Sequence, residues 1–256
     1  MKIQSLESHF HPCQVGAPRP QEAHNAIKAF CAKFAEALQN HANSDMLLEL
    51  FAEDGSWTDP VGGPPPYVGM EKLKERKSKL PAFDFAKVIE VFYTVDHNTF
   101  LAKTKVKFSD KPNSMIILDK FSTASSADGT MKIKSLESHF HPYQVGAPRP
   151  QEAHDVIDVF VNKFATALQD HAVDDTLLKL FDETSGSWTD PVGGPPPYVG
   201  LEKLKERKAK LPKIDFTKVL EIYYTVNNNI FLAKTEVKFT DKPNSLIILD
   251  KFYTSE

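Results

Sequence analysis

The chain has 256 residues, 41% hydrophobic and 25% charged, which places it among globular sequences and excludes disordered, collagen-like and coiled-coil classes. Its net charge of −3 supplies no broad basic field for nucleic-acid phosphates or an anionic membrane, and no apolar run is long enough to span a bilayer. The start MKIQSLESHF lacks the apolar stretch of a signal peptide, so the expectation is a cytoplasmic protein with no nucleic-acid or membrane partner.

In chain order, the first predicted strand, MKIQSLESHFHPCQ at 1–14, returns at 131–144 as MKIKSLESHFHPYQ. QVGAPRPQEAH at 14–24 returns unchanged at 144–154, and WTDPVGGPPPYVG at 57–69 returns at 188–200. FAEDGSW becomes FDETSGSW, a one-residue insertion of the kind loops accept. Each half therefore carries a full copy of the unit's chemistry. Cys13 and Cys31 have Tyr143 and Val161 as counterparts, so neither belongs to the repeated framework, and a disulfide or cysteine-based metal site is not expected.

Arg19-Pro20-Gln21-Glu22 predicts a helix start, with proline in the first turn, where its missing N–H costs nothing. Ile27, Phe30, Cys31, Phe34 and Leu38 then fall on one face of a long amphipathic helix, and Ile157, Phe160, Val161, Phe164 and Leu168 repeat the stripe. A short second helix is predicted over Asp45 to Phe51. GSWTDP reads as a strand, PVGGPPPYVG as turns and MEKLKERKSKL as a basic helix whose charged face is read as solvated. Beyond Pro81, FAKVIEVFYTV, TFLAKTKVKF, SMIILDKFST and MKIKSLESHF read as strands separated by turns at 96–98 and 110–113. Helices followed by an antiparallel strand run predict an α+β domain.

The order of the pieces is irregular. The first unit passes through the loop ASSADGT to the strand MKIKSLESHF, whereas the second ends its strand run at FYTSE with no such strand after it. The missing element is found at 1–11. The expected division is therefore a first domain of 15–145 and a second of 146–256, completed by residues 1–14, which cover an otherwise open sheet edge.

Two aspartates per unit stand in unusual contexts. Asp59 and Asp190 lie in Trp-Thr-Asp-Pro, where the proline biases the backbone to an extended form; each reads either as a positioned general base or as a turn cap. Asp119 and Asp250 interrupt Ile-Ile-Leu-Asp-Lys-Phe. By alternation Asp119 shares a face with Ile117 and Phe121, where a carboxyl resists ionisation; the other reading is an exposed edge residue. A base and a neutral donor together suit moving a proton beside a carbonyl and stabilising the enolate. His9 and His11, like His139 and His141, share a strand face, but no metal site is expected there.

The string LFAEDGSWTDPVGGPPPYVGMEKLKE, followed by LP, the strands and ILDKF, resembles the ketosteroid isomerases and the SnoaL-like members of the nuclear-transport-factor-2-like superfamily. The resemblance covers nearly all of each unit. It implies tandem cone-shaped domains, each with three helices on a curved, mostly antiparallel sheet around an apolar pocket, packed as an intramolecular pseudo-dimer. It assigns Asp59 and Asp190 as proton-shuttling bases and Asp119 and Asp250 as protonated oxyanion donors. It lines the pockets with Phe34, Trp57 and Phe140, and with Phe164, Trp188 and Phe10. It aims Ser138 inward with Leu136 and Phe140, and the strand histidines at the opposite side of the sheet, where relatives form a dimer contact. Phe34 and Phe164 depart from the pattern, because a tyrosine donor is expected there; Tyr67, Tyr93 and His24, with Tyr198, Tyr224 and His154, are the candidate replacements.

The expected activity is cofactor-free proton transfer on a small hydrophobic carbonyl compound, steroid- or polyketide-like. A polyketide cyclase or dehydratase is the alternative among enzymes. A non-catalytic module that binds an apolar ligand or a protein is the alternative outside them.

Overall fold

The first strand, β1 (Lys2–His9), buries Ile3 and Leu6 completely, yet it does not pair with the strands that directly follow it. In the computed structural model, which describes residues 1–17, 20–126 and 129–255, the chain forms two units. One comprises 20–93 and 97–149; the other comprises 1–19, 94–96 and 150–256. Arg19, expected at the helix start, and Ala127 and Asp128 of the expected loop lie outside the described residues, as does Glu256.

The first unit runs α1 (Gln21–Gln39), α2 (Met46–Glu49), β2 (Phe51–Thr58), β3 (Tyr67–Val68), α3 (Met70–Ser78), β4 (Phe83–Tyr93), β5 (Thr99–Phe108), β6 (Ser114–Ser125) and β7 (Met131–His139). Its six-stranded sheet has the order β3-β2-β7-β6-β5-β4, antiparallel except where β2 runs parallel to β7. The α1 stripe is buried, and it meets the sheet through edge-to-face rings, Phe30 on Phe100 at 6.1 Å and Phe34 on Phe121 at 5.0 Å. Register shifts at Val88/Glu90 and Ser122/Thr123 mark bulges that bend the sheet.

The second unit repeats this with α4 (Gln151–Gln169), α5 (Thr176–Lys179), β8 (Ser187–Thr189), β9 (Tyr198–Val199), α6 (Leu201–Ala209), β10 (Ile214–Tyr224), β11 (Ile230–Phe239) and β12 (Leu246–Ser255). Its sheet order is β10-β11-β12-β1-β8-β9. Here β1 fills the place that β7 holds in the first unit, antiparallel to β12 with Leu6 opposite Phe252, and parallel to β8 with Leu6 opposite Trp188. The protein is thus α+β, with two tandem domains of one topology.

Three local features differ from the expectation. The second helix stops at Glu49 because Phe51 is already in register with Ile133, whose N–H bonds Leu50 at 2.8 Å. The turn-rich segment holds a two-residue strand, β3, with Tyr67 opposite Trp57. The inserted residue in FDETSGSW shortens β8 to three residues, as Asp182 accepts the backbone N–H groups of Thr184 and Ser185 in a turn. No helix among the described residues is long and apolar enough to cross a membrane.

Candidate functional site

Asp119 stands in the middle strand β6, directly opposite Ser138 of β7. Cross-strand neighbours on one face lie within side-chain reach, and the Ser138 hydroxyl donates to Asp119 Oδ1 at 2.7 Å. Thr104, on β5, donates to Oδ2 at 3.2 Å. The Ser138 oxygen in turn accepts the indole N–H of Trp57 at 3.1 Å. Asp119 is only 2% exposed. Burial and, secondarily, the charge of Asp59 outweigh the two hydroxyl bonds and push its carboxyl up to about 7. The alternation within Ile-Ile-Leu-Asp-Lys-Phe thus leads to a buried carboxyl, and the exposed-edge alternative is set aside.

Asp59 is held beside this pair by the backbone. Where β2 ends, Val61 N–H bonds the carbonyl of Ser138 at 3.0 Å, so the Trp-Thr-Asp-Pro corner is fastened to the residue that faces Asp119. Asp59 is 7% exposed, and Arg76 meets it from α3, donating from Nε at 3.0 Å and from Nη2 at 2.5 Å, both to Oδ2. The guanidinium lies 5.4 Å over the Trp57 ring. Burial raises the Asp59 carboxyl above its ordinary value, and Arg76 works against that rise by charge and hydrogen bonding.

The reading of the basic helix as wholly solvated needs correction at Arg76. Gly69, at φ +77, turns the chain into α3, and Leu73 anchors the helix at 1% exposure. Arg76 follows three residues later on that inward face, while Lys72, Lys74 and Lys77 pair with Glu75, Glu71 and Asp45. The available signal was the single arginine among lysines, spaced i, i+3 from the segment's buried leucine.

The second unit reproduces the arrangement. Ser8 of β1 faces Asp250 of β12 and donates to Oδ1 at 2.6 Å; Trp188 donates to Ser8 at 3.0 Å. Asp250 is pushed up to about 7, by burial first and then, against the Ser8 bond, by the charge of Asp190. Arg207 bonds Asp190 Oδ2 through Nε at 3.0 Å and also through Nη2, and lies 5.3 Å over Trp188. The counterpart of Thr104 makes no such bond, so Asp250 Oδ2 accepts no hydrogen bond among the described residues. A cavity of about 30 Å³ opens here, lined by Phe10, Phe164, Trp188, Asp190, Arg207 and Asp250 among others. It has room for one or two waters and is far smaller than usual ligand pockets. A steroid-sized occupant does not fit it as it stands. A groove of about 690 Å³ between α1 and β4 is larger but contains none of these residues.

Phe10, Phe164 and Trp188 therefore come together around one cavity with Asp190 and Asp250. In the first unit, Phe34 and Trp57 are core residues, and Phe140 packs against that core. The missing hydroxyl at Phe34 is not replaced by His24 or Tyr93. These two stack on each other at 3.7 Å, and His24 lies ten residues before Phe34 on α1, about 15 Å along the helix. His154 and Tyr224 repeat the stack at 3.7 Å. Tyr67, opposite Trp57, shares its side of the sheet, as Tyr198 does opposite Trp188. His139 is buried, with Nδ1 at 3.1 Å from the carbonyls of Leu118 and Glu137.

No family model matches the chain, and no curated protein matches it. Among solved structures it is similar to nuclear transport factor 2 from Cryptosporidium parvum, at 16% identity over 48% of this chain and 96% of that one, with a TM-score of 0.37. A putative ketosteroid isomerase from Kribbella flavida aligns at 16% identity over 50% of this chain and 86% of its own, TM-score 0.36. The epoxide hydrolase/cyclase-like enzyme SalBIII, of pyran ring formation in the polyether salinomycin, aligns at 15% identity over 50% and 97%, TM-score 0.39.

Proposed function

We propose that each unit is a proton-transfer site for a compact carbonyl compound, with Asp59 and Asp190 as bases and Asp119 and Asp250 as neutral hydrogen-bond donors. The observation that carries this reading is a pair of buried carboxyls in unlike surroundings, one tied to a guanidinium and the other held in hydroxyls and apolar residues. Burial raises both carboxyls, but only Asp59 and Asp190 have a guanidinium opposing the rise, and that difference divides the base from the acid. The base takes a proton from the carbon next to the carbonyl. The electron pair moves onto the oxygen, where the neutral acid donates a hydrogen bond, and the base returns the proton at the far end of the enolate.

Phe164 offers the oxygen no second donor, and one absent donor costs about 10²–10³ in rate. The site is therefore a slow isomerase toward simple ketones. The small cavity favours a substrate of few heavy atoms, and a larger one requires the wall formed by Arg207 and Leu211 to move. A compact β,γ-unsaturated ketone, cyclohex-3-enone, is the test probe. Its conversion to the conjugated isomer is expected to collapse in Asp59→Asn/Asp190→Asn while probe binding survives. Unchanged turnover in that variant removes the base assignment. The second reading, an apolar-ligand carrier, is favoured by Phe34 and Phe164, and predicts binding with no conversion in the unmodified chain.

A further inference from the structure

We propose that Arg76 and Arg207 are positioning residues: each clamps one oxygen of its aspartate, Oδ2, so that Oδ1 alone is the atom that exchanges the proton. The inference rests on the base role given above to Asp59 and Asp190.

A guanidinium meeting a carboxylate usually spreads two parallel bonds over both oxygens. Here both donors of Arg76, Nε and Nη2, converge on Oδ2, and the same two atoms of Arg207 converge on Asp190 Oδ2. Oδ1 of either aspartate accepts no hydrogen bond among the described residues. The identical choice of atoms in two units that differ by an inserted residue ahead of the tryptophan argues for a shaped contact.

The arginine is itself held in place. Its side chain is 15% exposed in both units, the tryptophan ring lies beneath the guanidinium, and Leu73 or Leu204 anchors the helix one turn earlier. A lysine reaching the same place would be a point charge with no fixed fork and no planar face for the indole. The clamp has a second effect. An aspartate this deeply buried drifts toward its protonated form, which is no base, and the guanidinium opposes that drift. It thus sets both the availability and the direction of the base.

The test needs no substrate. The side-chain carboxyls of Asp59 and Asp190 are titrated by carbon-13 NMR in the full chain, in Arg76→Met/Arg207→Met and in Arg76→Lys/Arg207→Lys. The methionine pair is expected to shift both titrations upward by about one pH unit or more, and the lysine pair by less. With cyclohex-3-enone, the acid limb of the kcat/KM profile follows the same shift in the lysine pair. An unmoved titration in a folded methionine pair overturns the proposal. If that pair does not fold, an unmoved titration and acid limb in the lysine pair overturn it. Failure of the Asp→Asn variant to lose turnover would instead remove the proton-transfer reading, and leave the titration result untouched.

Discussion

Trp57 donates its indole N–H to Ser138 at 3.1 Å, and Ser138 passes its own hydrogen to Asp119 at 2.7 Å, so the ring is one hydroxyl away from the buried acid. Trp188 stands in the same relation to Asp250 through Ser8. These are the chain's two tryptophans, one per site. Their fluorescence is therefore expected to change with a midpoint near pH 7, where the acids are placed, with Trp57→Phe and Trp188→Phe separating the two signals. Asp119→Asn and Asp250→Asn abolish the respective transitions. Asp59→Asn moves the Trp57 transition to lower pH, since the Asp59 charge is one cause that raises Asp119.

The same acids make stability depend on pH. The folded chain keeps their protons up to about 7, whereas the unfolded chain releases them near the ordinary value of 3.8. Between those limits the folded state binds more protons, so stability is greatest below the lower limit, falls as pH rises, and is flat above the upper one. The loss is on the order of 4 kcal/mol per site. Urea denaturation from pH 4 to 8 is expected to show this decline, and Asp119→Asn/Asp250→Asn to flatten it.

Ser138→Ala removes a bond that lowers the Asp119 carboxyl, so the Asp119 titration moves above pH 7. It also leaves the buried indole N–H without its acceptor, at a cost of about 1–3 kcal/mol. Thermal unfolding measures the cost, and carbon-13 titration of Asp119 measures the shift. An unchanged titration removes Ser138 from the control of the acid.

The two sites are expected to contribute unequally. Thr104 occupies Asp119 Oδ2, whereas Asp250 Oδ2 accepts nothing among the described residues and Asp250 lines the cavity. Conversion of cyclohex-3-enone is expected to fall several-fold further in Asp250→Asn than in Asp119→Asn. Equal losses would mean that the threonine bond does not restrain the donor.

Leu6 is fully buried between Phe252 and Trp188 in the strand register. Leu6→Ala is expected to cost about 2–5 kcal/mol. Hydrogen exchange should lose protection in β8 and β12, as Leu136→Ala should in β2 and β6. Loss confined to the first nine residues would show that β1 contributes little to its sheet.

Much of this was visible in the sequence. The repeat exposed the displaced strand, because one copy of MKIKSLESHF stood where the other unit lacked one. Period-two alternation put Asp119 among Ile117 and Phe121, since a strand admits only two faces. Arg76 is not legible in the sequence because a helix face is decided by which neighbour it meets, and its run of lysines and glutamates reads as solvent-exposed unless Leu73 is taken as the anchor. Ser138 was aimed at the pocket by resemblance, but its tie to Asp119 depends on cross-strand register, which no single strand encodes. The cavity's size was hidden for a related reason, as a void is what packing leaves over.

The pairing of Lys2 with Ser255 has a further consequence. The two ends of the described chain lie about one strand spacing apart, roughly 5 Å. A circular permutant that joins them through a short linker and opens the chain between β7 and α4, within 146–150, would encode each six-stranded sheet as one unbroken stretch. In the present order, β1 is separated from its partners β8 and β12 by an entire intervening domain. The permutant shortens that separation to a few residues on the β12 side, and should fold faster with the same final contacts.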